Sequence, residues 1–275
     1  MATSCDTFVA LGNSTITKST IFAKNSDRPK DECQSLIEVP RLKHKNNSIV
    51  KCQFIEIPQL ETTYRHFGSQ PHWLWGYEHG FNEYQVVIGN EAVHSKFSEN
   101  NLPGLIGMDL VRLGLERGNS ATSAVNIITN LISTYGQGKF TNNHKSSNYD
   151  NSFIVADPNE AYIIEAANKE WVTKKIDSTI GISNIYSINT DWTNISSTAK
   201  QTAIENKWSI ESEDRLDFLK TFSNNTIKGV REGRGEFRRR RSCTYLNLFK
   251  GKLDLNIFLS LLKDHSNGEN PSENI

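Results

Sequence analysis

A layered α+β domain, with sheet packed on sheet and helices outside, is the fold class this sequence predicts. Three observations lead there. The first third is rich in short β-prone runs bounded by Gly, Asn and Pro. Two segments with helical apolar spacing follow. Strand-like runs then return ahead of a charged, helical last third.

The elements follow in order. Residues 7–11 (TFVAL) and 20–23 (TIFA) are short β-rich runs, and Gly12-Asn13-Ser14 between them suits a turn, so the pair is predicted to form a hairpin. Residues 52–57 (CQFIEI) alternate apolar and polar side chains as a half-buried strand does, and residues 85–89 (QVVIG) read as a short buried strand. Residues 105–116 carry Leu105, Met108, Leu110, Val111, Leu113 and Leu115 at helical spacing, with Gly118 as a stop. Ser120 is the expected N-cap of the next helix, which sets Val125, Ile128, Leu131 and Ile132 on one face. Strands return at residues 152–156, 161–165, 170–172 and 179–183, the first two joined by the turn Asp157-Pro158-Asn159-Glu160. Helices are predicted at residues 198–207, 213–222 and 255–263, the last capped by Asp254. Residues 266–275 are polar and expected to be a disordered tail.

With 275 residues the chain is long enough for one large domain. Its apolar fraction is 36% and its mean hydropathy −0.52, so the core must come from clustering of apolar residues in the runs above. Lys+Arg and Asp+Glu both number 31, and this neutrality gives no whole-molecule attraction to nucleic acid or to an anionic membrane. Residues 1–11 lack the basic start and sustained apolar run of a secretory leader, and no apolar stretch approaches the length of a membrane span. The four cysteines, Cys5, Cys33, Cys52 and Cys243, form no C-x-x-C pair and no metal-ligand spacing. The expectation is a cytoplasmic protein with free thiols, needing no metal or organic cofactor.

Cys5 is the first residue to point to chemistry, because it immediately precedes a strand. If Met1-Ala2-Thr3-Ser4 is removed as a short propeptide, Cys5 holds a thiol and a free α-amine together. The amine titrates near ~8, so one residue supplies nucleophile and general base. The plain alternative is an incidental buried cysteine. The segment Lys24-Asn25-Ser26-Asp27-Arg28-Pro29 follows the second strand, and a hairpin would bring it beside Cys5. There Lys24 and Asp27 would hold the amine and thiol or bind a charged substrate end; otherwise they close a polar turn. Asn90 and Asn184, each at the end of an apolar stretch, are candidate donors to an oxyanion, or else turn residues. Trp73 and Trp75 flank Leu74 and are candidates to line a substrate pocket, although such clusters also serve as core packing. The four arginines at 238–241 read as a solvated basic patch, with Glu232 and Glu236 close before them and no interleaved aromatic set.

The order of these motifs resembles one family. Cys5-Asp6-Thr7-Phe8-Val9-Ala10-Leu11 followed by Ile21-Phe22-Ala23-Lys24-Asn25-Ser26-Asp27-Arg28-Pro29 resembles the start of secernins. So do Trp73-Leu74-Trp75-Gly76, the stretch Gly80-Phe81-Asn82-Glu83 with Ile88-Gly89-Asn90-Glu91-Ala92, Asn151-Ser152-Phe153 with Glu165-Ala166, and Ile182-Ser183-Asn184-Ile185-Tyr186. The likeness runs to about residue 262. It implies a four-layer αββα N-terminal-nucleophile hydrolase sandwich over residues 5–265, related to cysteine dipeptidases and more distantly to penicillin V acylase and bile salt hydrolase. It implies Cys5 as nucleophile, Asp27 as the carboxylate that holds the α-amine, and Asn90 and Asn184 as supports of oxyanion and amine. The wider acylase group has Arg where this chain has Lys24. No residue is matched to that group's later catalytic arginine.

The implied activity is cleavage of an amide in a dipeptide or small amide. The family is also associated with regulated exocytosis, which leaves a non-catalytic interaction protein as the other reading. Further strands would follow residue 265 in the family, so the sandwich is expected to be truncated at its C-terminal end. The expected partner is a small peptide or amide substrate rather than nucleic acid. Self-association into a homo-oligomer is left open.

Overall fold

Alternation along the first strand decides how the layers stack. In the computed structural model, which describes residues 5–28, 31–97, 103–138, 140–141, 146–147, 149–209, 214–224 and 230–264, that strand is Cys5–Ala10. The expected propeptide 1–4 and the tail 266–275 lie outside the described residues. Phe8 and Ala10 point to one side, where with Ile21 they meet Leu246, Phe258 and Leu261 of the helices Val230–Leu248 and Leu255–Leu262. Val9 points to the other side and joins Val93, Ile154, Ala156 and Ile163 in a core between two sheets. Each such fully buried aliphatic side chain contributes ~1.5–3 kcal/mol.

The hairpin forms as the sequence predicts. Cys5–Ala10 pairs antiparallel with Ile21–Ser26, Cys5 opposite Ser26 and Ala10 opposite Ile21, across the 3-10 turn Gly12–Ser14. The second strand runs three residues beyond the β-rich run 20–23, and this extension carries Lys24 to the level of Thr7. On its other edge Cys5–Ala10 pairs with Thr179–Ile182, Thr7 opposite Ile182, completing a three-stranded sheet.

The second sheet has eight strands. From edge to edge they are Asn194–Ile195, Glu170–Ile176, Ala161–Ala167, Asp150–Ala156, Val87–Val93, His79–Asn82, His66–Pro71 and Gln34–Val39. All its pairings are antiparallel. Its outer face, through Ile88, Phe153, Val155 and Ile164, packs on Leu110, Val111, Val125 and Ile128 of the helices Gly107–Arg117 and Ala121–Tyr135. The caps read from sequence are present: Ser120 Oγ accepts from the Ser123 N–H at 3.1 Å, and Asp254 Oδ1 from the Ile257 N–H at 2.8 Å. Four layers result: helices, eight-stranded sheet, three-stranded sheet, helices.

Three elements differ from expectation. Residues 52–57 are not one strand. Ile49–Lys51 pairs with Glu56–Pro58, and the chain reverses between them with the Cys52 N–H donating to Ile55 O at 2.9 Å. The alternation was real, but it spans a turn that contains no Gly or Asn to signal it. Of the helix predicted at 213–222, only Phe218–Phe222 is helical, capped by Asp217, and residues 214–217 are described but irregular. The 19-residue helix Val230–Leu248 was not anticipated. Its Gly233 and Gly235 lower helix propensity, and its dense charge hides any apolar stripe. Gly235 lets the helix approach closely, since a Cβ would lie 2.8 Å from Ile185 Cγ2 and push that side chain aside. Among the described residues no helix is long and apolar enough to cross a membrane.

Candidate active site

Cys5 opens its strand on the inter-sheet side, the same side as Thr7 and Val9, and is 7% exposed. Its backbone nitrogen donates to Asn184 Oδ1 at 2.8 Å, and its sulfur receives a hydrogen bond from the Asp27 backbone N–H. Burial pushes the thiol up to about 12, with the Lys24 ammonium pulling the other way. In a chain that keeps residues 1–4, Cys5 is therefore a weakly acidic thiol. Desolvation outweighs the one nearby cation, and an amide nitrogen carries no charge to help. In that form the thiolate population is on the order of 10³ below that of an ordinary thiol. Iodoacetamide near neutral pH is thus expected to modify exposed Cys33 well before buried Cys5. Time-resolved peptide mapping checks this, and Cys5 appearing first would contradict the burial argument.

Lys24 lies beneath the thiol. It shares the inter-sheet face with Phe22, its side chain is fully buried, and Nζ donates to Asn90 O at 2.5 Å and to Glu91 Oε1 at 3.2 Å. Thr7 Oγ1 donates to the same Glu91 oxygen. Burial alone would discharge Lys24. Glu91, Cys5 and Glu78 outweigh it and hold the ammonium protonated, above its ordinary value. Lys24 thus faces internal partners, which agrees with a part in holding the thiol's surroundings and leaves it no exposed surface for a charged substrate end.

On the outer side of the same strand, Asp6 faces helix Val230–Leu248. Arg238 Nε bonds both Asp6 oxygens at 3.1 and 3.0 Å, and its Nη2 donates to Ser183 Oγ at 2.7 Å and to Asn184 Oδ1 at 2.9 Å. One guanidinium thereby fixes the Asn184 oxygen that accepts from Cys5. Asn184 Nδ2 donates to Ala92 O at 3.0 Å, which ties the two sheets together. The solvated basic patch expected at 238–241 is corrected here. Arg238 turns to the site, Arg241 pairs with Asp264, Arg239 Nε is buried, and Arg240 alone is plainly exposed, beside Glu236. The run is one helix turn, so its four side chains point four ways.

The structure therefore brings Cys5, Lys24, Asp27 and Asn184 together. Asn90 is adjacent only through its carbonyl. Its side chain shares a face with Ile88, toward helix Gly107–Arg117, where Nδ2 donates to Asn151 Oδ1 at 3.0 Å. A Cβ at Gly107 would sit 1.9 Å from that Asn151 oxygen, so glycine is required to admit the pair. The expected oxyanion donor thus points away from Cys5, because strand alternation sends the neighbouring Glu91 inward instead. Trp73 is half-buried, with Nε1 donating to Glu32 Oε2 at 2.7 Å. Trp75 packs against the helix-side core, its ring 4.2 Å from the Arg112 guanidinium. Residues missed from sequence are Arg238, Glu91, Glu78 and Arg28. The signal for Glu91 was available, since period two places it on the face of Val87 and Val93.

No protein-family model matches the sequence. Among solved structures the chain is similar to a conjugated bile acid hydrolase from Clostridium perfringens, with a TM-score of 0.51 and 14% identity over 94% of this chain and 78% of that one. It is also similar to a Caenorhabditis elegans ortholog of N-acylethanolamine-hydrolyzing acid amidase, with a TM-score of 0.49 and 11% identity over 97% and 88%. For a penicillin V acylase from Agrobacterium tumefaciens the TM-score is 0.43 and the identity 12%, over 94% and 70%. The chain shares the fold of that bile acid hydrolase, here four αββα layers, and Cys5 heads the central strand of the smaller sheet.

Proposed function

We propose that this chain is a secernin-like cysteine hydrolase of the dipeptidase group, cleaving an amide bond in a dipeptide or small amide. The observation that carries the reading is the hydrogen bond from the Cys5 nitrogen to Asn184 Oδ1, itself held by Arg238. It orients the one nitrogen that becomes a base if residues 1–4 are removed. Such an amine would supply the base that the buried thiol lacks while residues 1–4 are attached.

In the proposed cycle the free α-amine of Cys5 takes the thiol proton as sulfur attacks the substrate carbonyl carbon. The Asp27 carboxylate steadies the resulting ammonium, and buried Lys24 stabilises the sulfur anion. Negative charge gathers on the carbonyl oxygen, where the second Asn184 Nδ2 hydrogen and backbone N–H groups donate. The C–N bond breaks and the leaving amine takes the proton from the ammonium. Water then attacks the thioester and gives a proton to the α-amine, and the departing sulfur recovers it as the acid is released. No metal or organic cofactor enters these steps.

A second reading has its own support. With residues 1–4 retained, the Cys5 nitrogen is an amide and the buried thiol has no base, which suits a non-catalytic interaction protein of the kind linked to regulated exocytosis. One experiment separates the two. Purified protein is weighed intact and assayed on a panel of dipeptides and simple amides. Loss of the mass of Met-Ala-Thr-Ser together with release of free amine is expected. A folded protein that keeps those residues and cleaves nothing would overturn the hydrolase reading.

A further inference from the structure

Beside Cys5 lies a buried carboxylate that the proposed cycle does not use. Glu78 is 3% exposed, and Ser26, which pairs with Cys5 across the hairpin, directs its Oγ at Glu78 Oε2 at 3.3 Å. The carboxylate is close enough to act electrostatically on both the Cys5 thiol and the Lys24 ammonium. Its neighbour Arg28 is committed elsewhere. Arg28 Nε and Nη2 donate to the two oxygens of Glu32 at 2.6 and 3.0 Å, and Trp73 Nε1 donates to Glu32 Oε2 at 2.7 Å. Only Arg28 Nη1 approaches Glu78, 3.2 Å from Oε1 and out of hydrogen-bonding alignment, so that Oε1 is buried with no hydrogen bond.

Lys24 balances Glu91, and the single guanidinium of Arg28 stands against Glu32 and Glu78 together. Among the described residues Glu78 Oε1 thus has a shared ion pair and no hydrogen bond, on a side chain that Ser26 ties to the Cys5 end of the hairpin. Burying a carboxylate in this state is unfavourable until a cationic donor arrives. The Cys5 nitrogen directs a hydrogen bond to Asn184 on the neighbouring strand's side.

We propose that Glu78 is a specificity-determining residue whose Oε1 receives the α-ammonium of an aminoacyl substrate, making this a site for amides of unblocked amino acids. The inference rests on the hydrolase reading above and narrows its substrate class. In an aminoacyl amide the α-nitrogen is two bonds from the scissile carbonyl carbon, so a carboxylate must lie beside the nucleophile to meet it, as Glu78 does. An acyl group lacking that amine leaves Glu78 without a donor. A charge-assisted hydrogen bond of this kind discriminates roughly 10–100-fold.

The test uses reagents that need no turnover. Alanine chloromethyl ketone carries the α-ammonium, and 1-chlorobutan-2-one is the same molecule without it. Cys5 sulfur displaces chloride from either, and the thiol proton passes to the α-amine. Rates of Cys5 modification are read by peptide mass spectrometry and divided by each reagent's rate with glutathione. The wild-type protein is expected to favour the alanine reagent roughly 10–100-fold through a lower half-saturating concentration, and Glu78→Gln to bring the ratio near unity. Arg28→Gln, which removes the competing cation, should keep or raise the preference. Equal rates in the wild type, a preference retained by Glu78→Gln, or its loss in Arg28→Gln would each overturn the proposal while leaving the nucleophile in place. If neither reagent modifies Cys5, the hydrolase reading itself fails and the substrate class falls with it.

Discussion

Cys5→Ala is expected to abolish hydrolysis, a loss on the order of 10⁴-fold or more, and to leave residues 1–4 attached. The fold should survive. The backbone N–H that bonds Asn184 is unchanged, strand register is set by the backbone pairs with Ile21–Ser26 and Thr179–Ile182, and alanine suits the space left by a buried thiol. The fitting control is Cys33→Ala, since that thiol is exposed and lies outside the cluster around Cys5. Steady-state assays, intact mass and thermal melts on the three proteins decide the matter. A Cys5→Ala protein with the wild-type rate would place the nucleophile elsewhere.

Replacing Lys24 by Met should destabilise the protein by ~3–5 kcal/mol, because it strands the Glu91 carboxyl in a site with no solvent. Both side chains of the pair are fully buried, and Glu91 Oε2 already lacks a hydrogen bond. The deficit should depend on pH with a definite sign. Burial pushes Glu91 up to about 7 even against the pull of Lys24, and without Lys24 it rises further. A carboxyl whose folded value exceeds its unfolded one contributes stability that is fully present below the unfolded value and is lost as pH rises through the folded one. The variant should therefore be least impaired near about pH 5 and most impaired above about pH 8. Adding Glu91→Leu should recover most of the loss, as apolar replacement of a whole buried pair commonly does. Urea unfolding at the two pH values measures all of this. An equal deficit at both would clear Glu91 of responsibility.

How much of this was legible in the sequence varies with the kind of signal. The hairpin, the Ser120 and Asp254 caps and the two helices after residue 105 rest on local rules, namely strand composition, capping residues and helical spacing, and all are present. Asp27 and Lys24 were placed near Cys5 because a hairpin needs only neighbours in the chain. Asn90 shows the limit of that reasoning. Its position at a strand was right, but which face its amide takes depends on register, and register is set by Asp150–Ala156, far along the chain. Arg238 was illegible for a different reason. Four consecutive arginines look alike in sequence, and only the seating of a helix on Asp6 and Ser183 separates one from the rest. Glu78 gave no signal, because its meaning comes from Arg28 being occupied by Glu32.

The residues that complete the surroundings of Cys5 are far apart in order of synthesis. Cys5 emerges from the ribosome first, but its second strand neighbour ends at Ile182, its acceptor is Asn184, and the guanidinium that fixes that acceptor is Arg238. Until translation passes that arginine, the thiol has its hairpin and nothing to orient the nitrogen beside it. Cys5 is thus made well before the residues that surround it, so a chain stopped ahead of Arg238 carries the cysteine without the contacts that position its nitrogen.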